Sequence, residues 1–254
     1  MALDEAIFES VAHHHQPPTL RLYSWYPYCL SLGHAQPISD INQKKINLSG
    51  WGLVRRPTGG RAILHADELT YSICAPVNDP RVQGGVIESY RRISDALLLM
   101  LKKIGIKADS KPKDQEKKHL SKDPVCFQYP SDYEITFGGK KIVGSAQARR
   151  SNALLQHGSV PLFGDITRIL SVLVLESTIT TKNTVENLKS RASTLEEALG
   201  QRVSWNTAAR ALSQSIEEKF GVLLIQQPIA DDEFSNAKEL LREKYSHPSW
   251  TERV

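Results

Sequence analysis

The chain has 254 residues, of which 40% are hydrophobic and 24% charged, with 15 glycines and 13 prolines. This composition is typical of a soluble globular protein and excludes a collagen-like, coiled-coil or disordered chain. A chain of this length buries enough apolar surface to fold without a disulfide or a structural metal. The formal net charge of +4 is too small for a dedicated nucleic-acid-binding protein, although it is compatible with an acidic protein partner.

The cysteines, the N-terminal residues and the length of the apolar runs indicate the cellular compartment. Cys29, Cys74 and Cys126 form no C-x-x-C pair and no zinc-finger spacing, so free thiols and no metal site are expected. The N-terminal residues lack a basic region followed by an apolar run, and no signal peptide is expected. The longest apolar run, Ile166 to Leu175, is too short to cross a bilayer. These features predict a cytoplasmic protein with no membrane partner.

Apolar spacing predicts the elements of the N-terminal half. A helix is expected over residues 3–14, short strands at 20–25 and 29–34, a strand over 51–61 that ends in a glycine turn, returning strands at 62–64 and 69–75, and a helix over 86–104. Eight lysines and four acidic residues then fall between Lys102 and Asp123, a composition that predicts a loop.

The C-terminal half contains the sharpest local pattern. Residues 133–137 and 140–143 alternate polar and apolar side chains on either side of Gly138-Gly139, which predicts a β-hairpin. A polar connection at 146–152 and a strand at 153–162 are expected next, and then helices at 165–176, 193–199, 204–220 and 231–245. Strands in runs, with helices between and after them, predict an α+β fold with a mixed or antiparallel sheet flanked by helices.

A glycine-rich motif, RRPTGGR at residues 55–61, is a candidate ligand site and is called the glycine loop below. Paired glycines let a backbone approach a ligand closely, and flanking arginines supply donors for a phosphate or carboxylate. The spacing is neither a Walker loop nor a dinucleotide fingerprint. From the residues alone, a ligand loop and a simple turn are equally compatible with the motif. His65 is an acid/base candidate by residue type, but a lone histidine is more often structural.

Cys126 differs from the other two cysteines in its surroundings. Cys29 and Cys74 lie in apolar runs and are expected to pack as small hydrophobic side chains. Cys126 follows the lysine-rich segment, whose cations would lower the pKa of the thiol and favour a nucleophilic thiolate. Lys141 would stabilise that thiolate if it faces the loop; an incidental pairing of a surface lysine with a cysteine is the alternative. The polar stretches 144–147 and 156–159 would allow a ligand to lie against the sheet.

Six short segments of the chain resemble a known family when they are taken together. They are MALDEA at 1–6, RRPTGGR at 55–61 with Leu64-His65, ELTYS at 68–72, VCF at 125–127, GKKIVGSAQ at 139–147 and LQHGS at 155–159. In this order they resemble the lipoate-protein ligase A and octanoyltransferase superfamily, most closely its Gram-positive-type octanoyl-carrier-protein:protein N-octanoyltransferase branch. The resemblance implies one domain, 1–254, with a biotin/lipoate-protein ligase-like catalytic core at 9–224 and a C-terminal helical extension at 225–254.

The resemblance also implies an activity in lipoate biosynthesis and protein lipoylation. An octanoyl group would move from octanoyl-acyl carrier protein to a lysine of a lipoyl domain of a 2-oxoacid dehydrogenase, or of the glycine cleavage H protein. Cys126 matches the family's acyl-thioester nucleophile, and Lys141 matches the lysine that lowers its pKa. The thiolate would take the octanoyl group and the acceptor amine would then attack the acyl-enzyme, a ping-pong scheme. Because a thioester is already activated, no ATP, cofactor or metal is expected, and a monomer is the family expectation.

Substrate binding is expected around the glycine loop and the two polar stretches. Backbone N–H groups near Gly144 to Ala146, or in Gly59-Gly60, are candidates for the oxyanion site. The predicted substrate-binding residues are Arg55, Arg56, Thr58, Gly59, Gly60, His65, Gly144, Ser145, Ala146, Gln156, His157 and Gly158.

Three other functions remain open at this point. An octanoyl amidotransferase, which takes octanoyl from the H protein to other lipoyl domains, would use similar thiol chemistry. An ATP-dependent lipoate-protein ligase would form an adenylate and would not need Cys126, and the usual accessory domain of such a ligase has little room here. A non-enzymatic module that binds a carrier protein or RNA would leave Cys126 incidental, and RNA binding would weaken steeply with salt.

Overall fold

Two β-sheets form the centre of the fold, which a computed structural model describes for residues 1–111, 134–174 and 181–254. The strands are β1 (Thr19–Tyr23), β2 (Cys29–Leu32), β3 (Gly52–Arg55), β4 (Ile63–His65), β5 (Glu68–Pro76), β6 (Asp109–Lys111), β7 (Glu134–Phe137), β8 (Lys140–Arg150) and β9 (Ala153–Pro161). The larger sheet has the order β1-β5-β9-β8-β7-β6 with antiparallel neighbours. The smaller sheet has the order β3-β2-β4, in which β2 is parallel to β3 and antiparallel to β4.

Helices cover both faces of the larger sheet. They are α1 (Ala2–Ala12), α2 (Gln43–Leu48), α3 (Val86–Lys103), α4 (Thr181–Arg191), α5 (Leu195–Leu199), α6 (Trp205–Phe220), α7 (Asp231–Leu240) and α8 (Pro248–Thr251). The main core lies between β5, β8 and β9 on one side and α3 and α6 on the other. Helix α1 packs on the opposite face, where Ile7, Phe8 and Val11 contact Cys74 and Leu155. The predicted α+β class, with mixed and antiparallel sheets flanked by helices, is confirmed.

A separate core fills the space behind the smaller sheet. Leu30 and Leu32 of β2 pack there with Ile46 of α2, Ile169 and Leu188. The sequence analysis assigned no element to α2, α4 or α8, which are short or strongly polar. No helix in the described part of the chain is both long enough and apolar enough to cross a membrane.

The predicted hairpin is confirmed, but its second strand is longer than expected. Gly138 and Gly139 have φ values of +56° and +78°, the two positive values that a tight two-residue turn between twisted strands requires. The polar connection predicted at 146–152 is wrong: β8 continues to Arg150, and the chain turns at Ser151 and Asn152, with φ values of +49° and +61°. Pairing with β9 continues as far as Arg150.

The helix predicted at 165–176 is confirmed only in part, because it is of the 3-10 type and ends before Leu173. Ile166–Val172 forms a 3-10 helix, and Leu173 then pairs with Ile41 in an isolated bridge. The N–H of Asn42 donates to the Val172 carbonyl at 2.7 Å, which holds the end of this segment in an extended form. Tertiary pairing with the chain after β2 therefore replaces the helix at Leu173 and Val174.

Candidate active site

A small cavity lies where the two sheets meet. The glycine loop and β4 form one wall, and β5, β8 and β9 form the other. Its lining consists of Met1, Arg56, Ile63, His65, Thr70, Gly144, Ser145, Ala146, His157, Gly158 and Ser159. Seven of the predicted substrate-binding residues are thus brought together: Arg56, His65, Gly144, Ser145, Ala146, His157 and Gly158.

The cavity wall needs glycine at position 158. A Cβ atom there would lie 2.5 Å from Cε1 of Tyr71 and 2.6 Å from the carbonyl oxygen of Gly144. Both neighbours are held in place, since Tyr71 is fully buried and its hydroxyl lies 2.6 Å from the Ser145 Oγ. The absence of a side chain therefore lets three strands approach one another beside the cavity.

A chain of buried hydrogen bonds fixes His65 in the cavity wall. Its Nδ1 donates to Glu68 Oε1 at 2.7 Å, and its Nε2 lies 2.7 Å from Ser31 Oγ. Glu68 also accepts hydrogen bonds from the hydroxyls of Thr70 and Ser159. The Trp25 ring stacks on the imidazole with 4.5 Å between ring centroids. Because both ring nitrogens are engaged, His65 presents a fixed ring to the cavity.

His157 is fixed differently, by one close partner. Its Nε2 lies 2.5 Å from Thr58 Oγ1, in the glycine loop. Its Nδ1 faces Asp4 Oδ2 at 3.8 Å, which is too long for a hydrogen bond, and this buried nitrogen has no hydrogen-bond partner among the described residues. Burial lowers the pKa of His157 below its ordinary value, against the opposing attraction of Asp4.

Asp4 is a fully buried carboxylate beneath His157. It accepts hydrogen bonds from Arg21 Nη1 at 2.7 Å, Tyr23 Oη at 2.6 Å and Ser72 Oγ at 2.9 Å. Burial by itself would raise the pKa of Asp4, but the interactions with His157 and Arg21 hold it below its ordinary value. Asp4 is therefore ionised at neutral pH and places a negative charge next to the imidazole.

The glycine loop separates the cavity from an open cleft of about 430 Å³. Thr58, Gly59, Gly60 and Arg61 line the cleft together with residues that include His34 and Gln147. The loop lies so close to the chain after β2 that a Cβ on Gly33 would be 1.8 Å from the Gly60 carbonyl oxygen. The cleft and the cavity thus meet at Thr58, whose hydroxyl contacts His157.

The two arginines that begin the glycine loop bond to the protein's own main chain. Arg56 donates to the carbonyls of Ser31 at 3.0 Å, Gly59 at 3.0 Å and Arg61 at 2.6 Å. Arg55 donates to carbonyls of two segments of the chain, that of Gly33 after β2 at 2.8 Å and that of Thr251 near the C-terminus at 2.7 Å. The sequence suggested donors for an anionic ligand; the structure instead shows side chains that hold the shape of the loop and the position of the C-terminal segment.

Two further predicted residues lie away from the cavity lining. Successive side chains of a strand point to opposite faces, so Gln156 points away from His157, and its amide donates to Tyr71 Oη at 3.2 Å. Lys141 is buried on β8, where its ammonium donates to Glu134 Oε1 at 2.5 Å. Cys126 lies outside the described residues.

The other two cysteines are poor nucleophiles. Cys29 and Cys74 are both buried, as predicted. Burial raises the pKa of Cys29 to about 12, and it raises the pKa of Cys74 well above its ordinary value. In the described part of the chain, no group of three His, Cys, Asp or Glu side chains is placed to hold a metal ion.

Sequence reasoning missed the carboxylates behind the two histidines. Glu68 was noted only as part of a family segment and lay one residue before the strand predicted at 69–75, although the observed strand β5 begins with it. Asp4 carried a clearer signal, because it lies three and four residues before Ile7 and Phe8 on the apolar face of α1. An acidic residue on a buried face requires a partner inside the protein.

Comparison with known proteins identifies both the family and the fold. The family described as the lipoyl protein ligase A/B catalytic domain matches residues 1–217. The octanoyltransferase LipM of Symbiobacterium thermophilum is 36% identical over 257 residues, which cover 100% of this chain and 93% of that protein. The octanoyltransferase LipM of Moorella thermoacetica is 37% identical over 256 residues, with 100% and 93% coverage.

Solved structures give the same fold. A bipartite lipoate protein ligase from Thermoplasma acidophilum, studied with its E2 lipoyl domain, superposes with a TM-score of 0.81 at 23% identity, covering 99% of this chain and 89% of that chain. A lipoate-protein ligase A bound with ATP gives a TM-score of 0.79 at 25% identity, with 99% and 92% coverage. The biotin/lipoate-protein ligase-like fold expected from the sequence is confirmed.

Proposed function

The chain belongs to the lipoyl protein ligase A/B catalytic domain family and is an octanoyltransferase of protein lipoylation, and we propose that it takes its octanoyl group from octanoyl-acyl carrier protein. The acceptor is a lysine of a lipoyl domain of a 2-oxoacid dehydrogenase or of the glycine cleavage H protein. Full-length similarity to octanoyltransferases is the observation that carries the proposal.

The proposed reaction proceeds through a thioester on Cys126. The Cys126 thiolate attacks the carbonyl carbon of the octanoyl thioester, and the carrier thiol leaves. The acceptor amine then attacks the new thioester, an amide forms, and the Cys126 thiolate is released. Lys141 is proposed to lower the pKa of Cys126. Its ion pair with Glu134 holds the Lys141 ammonium in a fixed position on β8.

The geometry favours the glycine loop for the oxyanion site. Gly144 to Ala146 lie within the hydrogen-bonded ladder between β8 and β9, where they pair with Ser159 to His157. Gly59 and Gly60 lie outside the strands, and they border the cleft next to the cavity. We propose that their N–H groups stabilise negative charge on the thioester oxygen. No ATP, metal or other cofactor takes part in the proposed scheme.

We propose a cytoplasmic monomer in which residues 9–224 form the catalytic core and 225–254 a helical extension. The amidotransferase alternative differs in its donor, the octanoylated H protein, and not in its chemistry. A direct comparison of the two donors at equal concentration distinguishes these reactions, because the better donor should give the faster appearance of octanoyl-enzyme.

The test is to incubate the protein with octanoyl-acyl carrier protein in the absence of ATP and to measure its intact mass. We expect an octanoyl adduct that hydroxylamine removes and that the Cys126→Ala variant lacks. Cys74→Ala is the matched control, because the buried Cys74 thiol is a poor nucleophile, and it should retain the adduct. An adduct that persists in Cys126→Ala, or one that forms only from free octanoate with ATP, would contradict the proposal.

A further inference from the structure

A buried chain of three polar side chains connects the open cleft with the interior. Thr58 borders the cleft, and its Oγ1 lies 2.5 Å from Nε2 of His157, which lines the cavity. On the far side of the imidazole ring, Nδ1 faces the Asp4 carboxylate at 3.8 Å. All three residues are at least nine-tenths buried. A carboxylate, an imidazole and a hydroxyl in this order form the arrangement by which a histidine removes a proton from a hydroxyl group.

The position of Asp4 determines which nitrogen of His157 can accept a proton. A carboxylate that faces Nδ1 favours the tautomer with the proton on Nδ1, which leaves Nε2 to accept from the Thr58 hydroxyl. Within the part of the chain that the structure describes, this buried Nδ1 has no hydrogen-bond partner, and such an arrangement is costly in a purely structural histidine. Asp4 can interact more strongly once the ring becomes an imidazolium, because the two charges then attract one another across the gap.

The groups around His157 favour a neutral ring at neutral pH. Burial lowers the pKa of His157, and the neighbouring Arg56 and His65 lower it further, whereas Asp4 opposes them. Ser72 of β5 pairs with His157 in the sheet and directs its hydroxyl to Asp4. The imidazole is therefore free of a proton on one nitrogen and can act as a base.

We propose that Thr58 and His157 remove the proton from the acceptor lysine in the second half of the reaction, with Asp4 as a positioning residue. This inference rests on the proposed function, because it requires an octanoyl-enzyme that an amine attacks. When the neutral amine attacks the thioester carbon, its nitrogen becomes positively charged and must lose a proton before the intermediate yields product. That proton passes to Thr58 Oγ1 as the hydroxyl proton of Thr58 passes to His157 Nε2.

The remaining bonds change in a defined order. The C–N bond has formed, the C–S bond breaks, and the electron pair leaves on the Cys126 sulfur. The His157 imidazolium then returns its proton to solvent through Thr58, which restores the starting state. The first half of the reaction has no such requirement, since a thiolate carries no proton to remove. The relay therefore acts on transfer to lysine and not on formation of the octanoyl-enzyme.

The test compares two attacking groups on one preformed octanoyl-enzyme. Lipoyl-domain lysine needs a base in this mechanism, whereas hydroxylamine is a weakly basic, strongly nucleophilic amine that does not. We expect Thr58→Val to slow transfer to lysine about 10²- to 10⁴-fold more than it slows formation of the octanoyl-enzyme or its release to hydroxylamine. Thr58→Ser, which keeps the hydroxyl, should restore most of the lysine transfer.

Other outcomes decide against the relay. Lysine transfer by Thr58→Val at the wild-type rate would overturn it. Equal slowing of acylation, hydroxylamine release and lysine transfer would show that Thr58 acts only on the shape of the loop. Asp4→Asn should show the same selective loss of lysine transfer as Thr58→Val, and a uniform loss would remove Asp4 from the relay. If wild-type protein forms no octanoyl-enzyme, the proposed function fails first, and the inference fails with it.

Discussion

Gly158 lies where the sheet has no room for a side chain, and the addition of a single methyl group tests this. In Gly158→Ala, the new Cβ would overlap the Tyr71 ring and the Gly144 carbonyl, and the backbone atom cannot move without disturbing β8. We expect a loss of about 1–3 kcal/mol in the free energy of unfolding, the usual cost of overpacking a buried site. Urea unfolding followed by tryptophan fluorescence measures this difference.

Gly59→Ala is the matched control for that substitution. A Cβ on Gly59 meets no atom within 4 Å, and the residue is not in the left-handed region of backbone conformation. The extra methyl group should cost no stability, since it also reduces the conformational freedom of the unfolded chain. An unfolding free energy for Gly158→Ala equal to that of the wild type would show that the strands can separate at this point and that the close approach is not needed.

Single residues of the site could be predicted to different degrees. The histidines and glycines stood out by residue type and by the segments that contain them, and the structure brings most of them to one cavity. The distant partner of His65 did not, because Ser31 reaches it from β2, 34 residues earlier in the chain. Such contacts depend on strand register between distant parts of the chain, which no local pattern records. The burial of Asp4 could have been predicted, because it is an acidic residue on the apolar face of α1.

At the scale of elements, the glycine loop behaves as a rigid unit because Arg56 binds it from within. The planar guanidinium reaches the carbonyls of Ser31, Gly59 and Arg61 at once, and a lysine ammonium cannot match this geometry. In Arg56→Lys, we expect the hydrogen bonds between the glycine loop and neighbouring segments to open more often. Thr58 makes one of them, since its carbonyl accepts a hydrogen bond from the His34 N–H at 2.9 Å.

Amide hydrogen exchange at His34 measures this loosening. Hydrogen bonds to charged groups contribute about 1.5–3 kcal/mol each, so the loss of one should speed exchange roughly tenfold or more. Arg91→Lys is the control, because Arg91 is exposed on α3 and away from the loop. Unchanged protection of His34 in Arg56→Lys would mean that the close packing of Gly33 on Gly60 holds the loop without the arginine.

The predicted elements were correct where the local residues determine the backbone conformation. The Gly138-Gly139 turn is an example, because few other residue pairs adopt two consecutive positive φ values. Prediction failed where pairing overrode local preference. The apolar spacing of 165–176 is helical, yet bonds to the chain after β2 hold Leu173 and Val174 in an extended form. The segment 146–150, in which Gln147, Arg149 and Arg150 are polar, gave no strand pattern, although β9 pairs with it throughout.

At the scale of the whole molecule, the beginning and the end of the chain are joined through α1. Helix α7 packs on α1, and the Asn236 side-chain amide donates to Glu9 Oε2 at 2.9 Å. Trp250 Nε1 donates to the Arg55 carbonyl at 2.8 Å, beside the glycine loop. The C-terminal helices thus support two elements that carry site residues, α1 with Asp4 and the loop with Thr58. A change in how these helices pack should therefore shift Asp4 and Thr58 beside the cavity.

Glu5 is the main point of this connection. Its carboxylate is buried and accepts hydrogen bonds from Lys244 Nζ at 2.7 Å, Tyr245 Oη at 2.5 Å and the Arg150 guanidinium. Burial alone would raise the pKa of Glu5, but the bonds from Lys244, Tyr245 and Arg150 lower it below its ordinary value. The folded state therefore binds this proton more weakly than the unfolded state, and the carboxylate stabilises the fold at neutral pH.

The sign of the shift fixes how stability changes with pH. Glu5→Gln should lower the free energy of unfolding at pH 7 by about 3–5 kcal/mol, the cost of breaking a buried ion pair from one side. The stabilisation from Glu5 is fully present above its ordinary pKa of 4.5 and is lost as pH falls through the lower folded-state value, so the gap between wild type and Glu5→Gln should narrow below about pH 4.5. Urea unfolding from pH 7 to pH 3 measures the gap.

Glu9→Gln is the matched control on the same helix. Glu9 also contacts Arg150, at 3.2 Å, but its side chain is far more exposed than that of Glu5, so its substitution should cost less than about 1 kcal/mol. A Glu5→Gln gap that stays constant across this pH range would show that packing of the C-terminal segment, and not its charge, holds the two ends of the chain together.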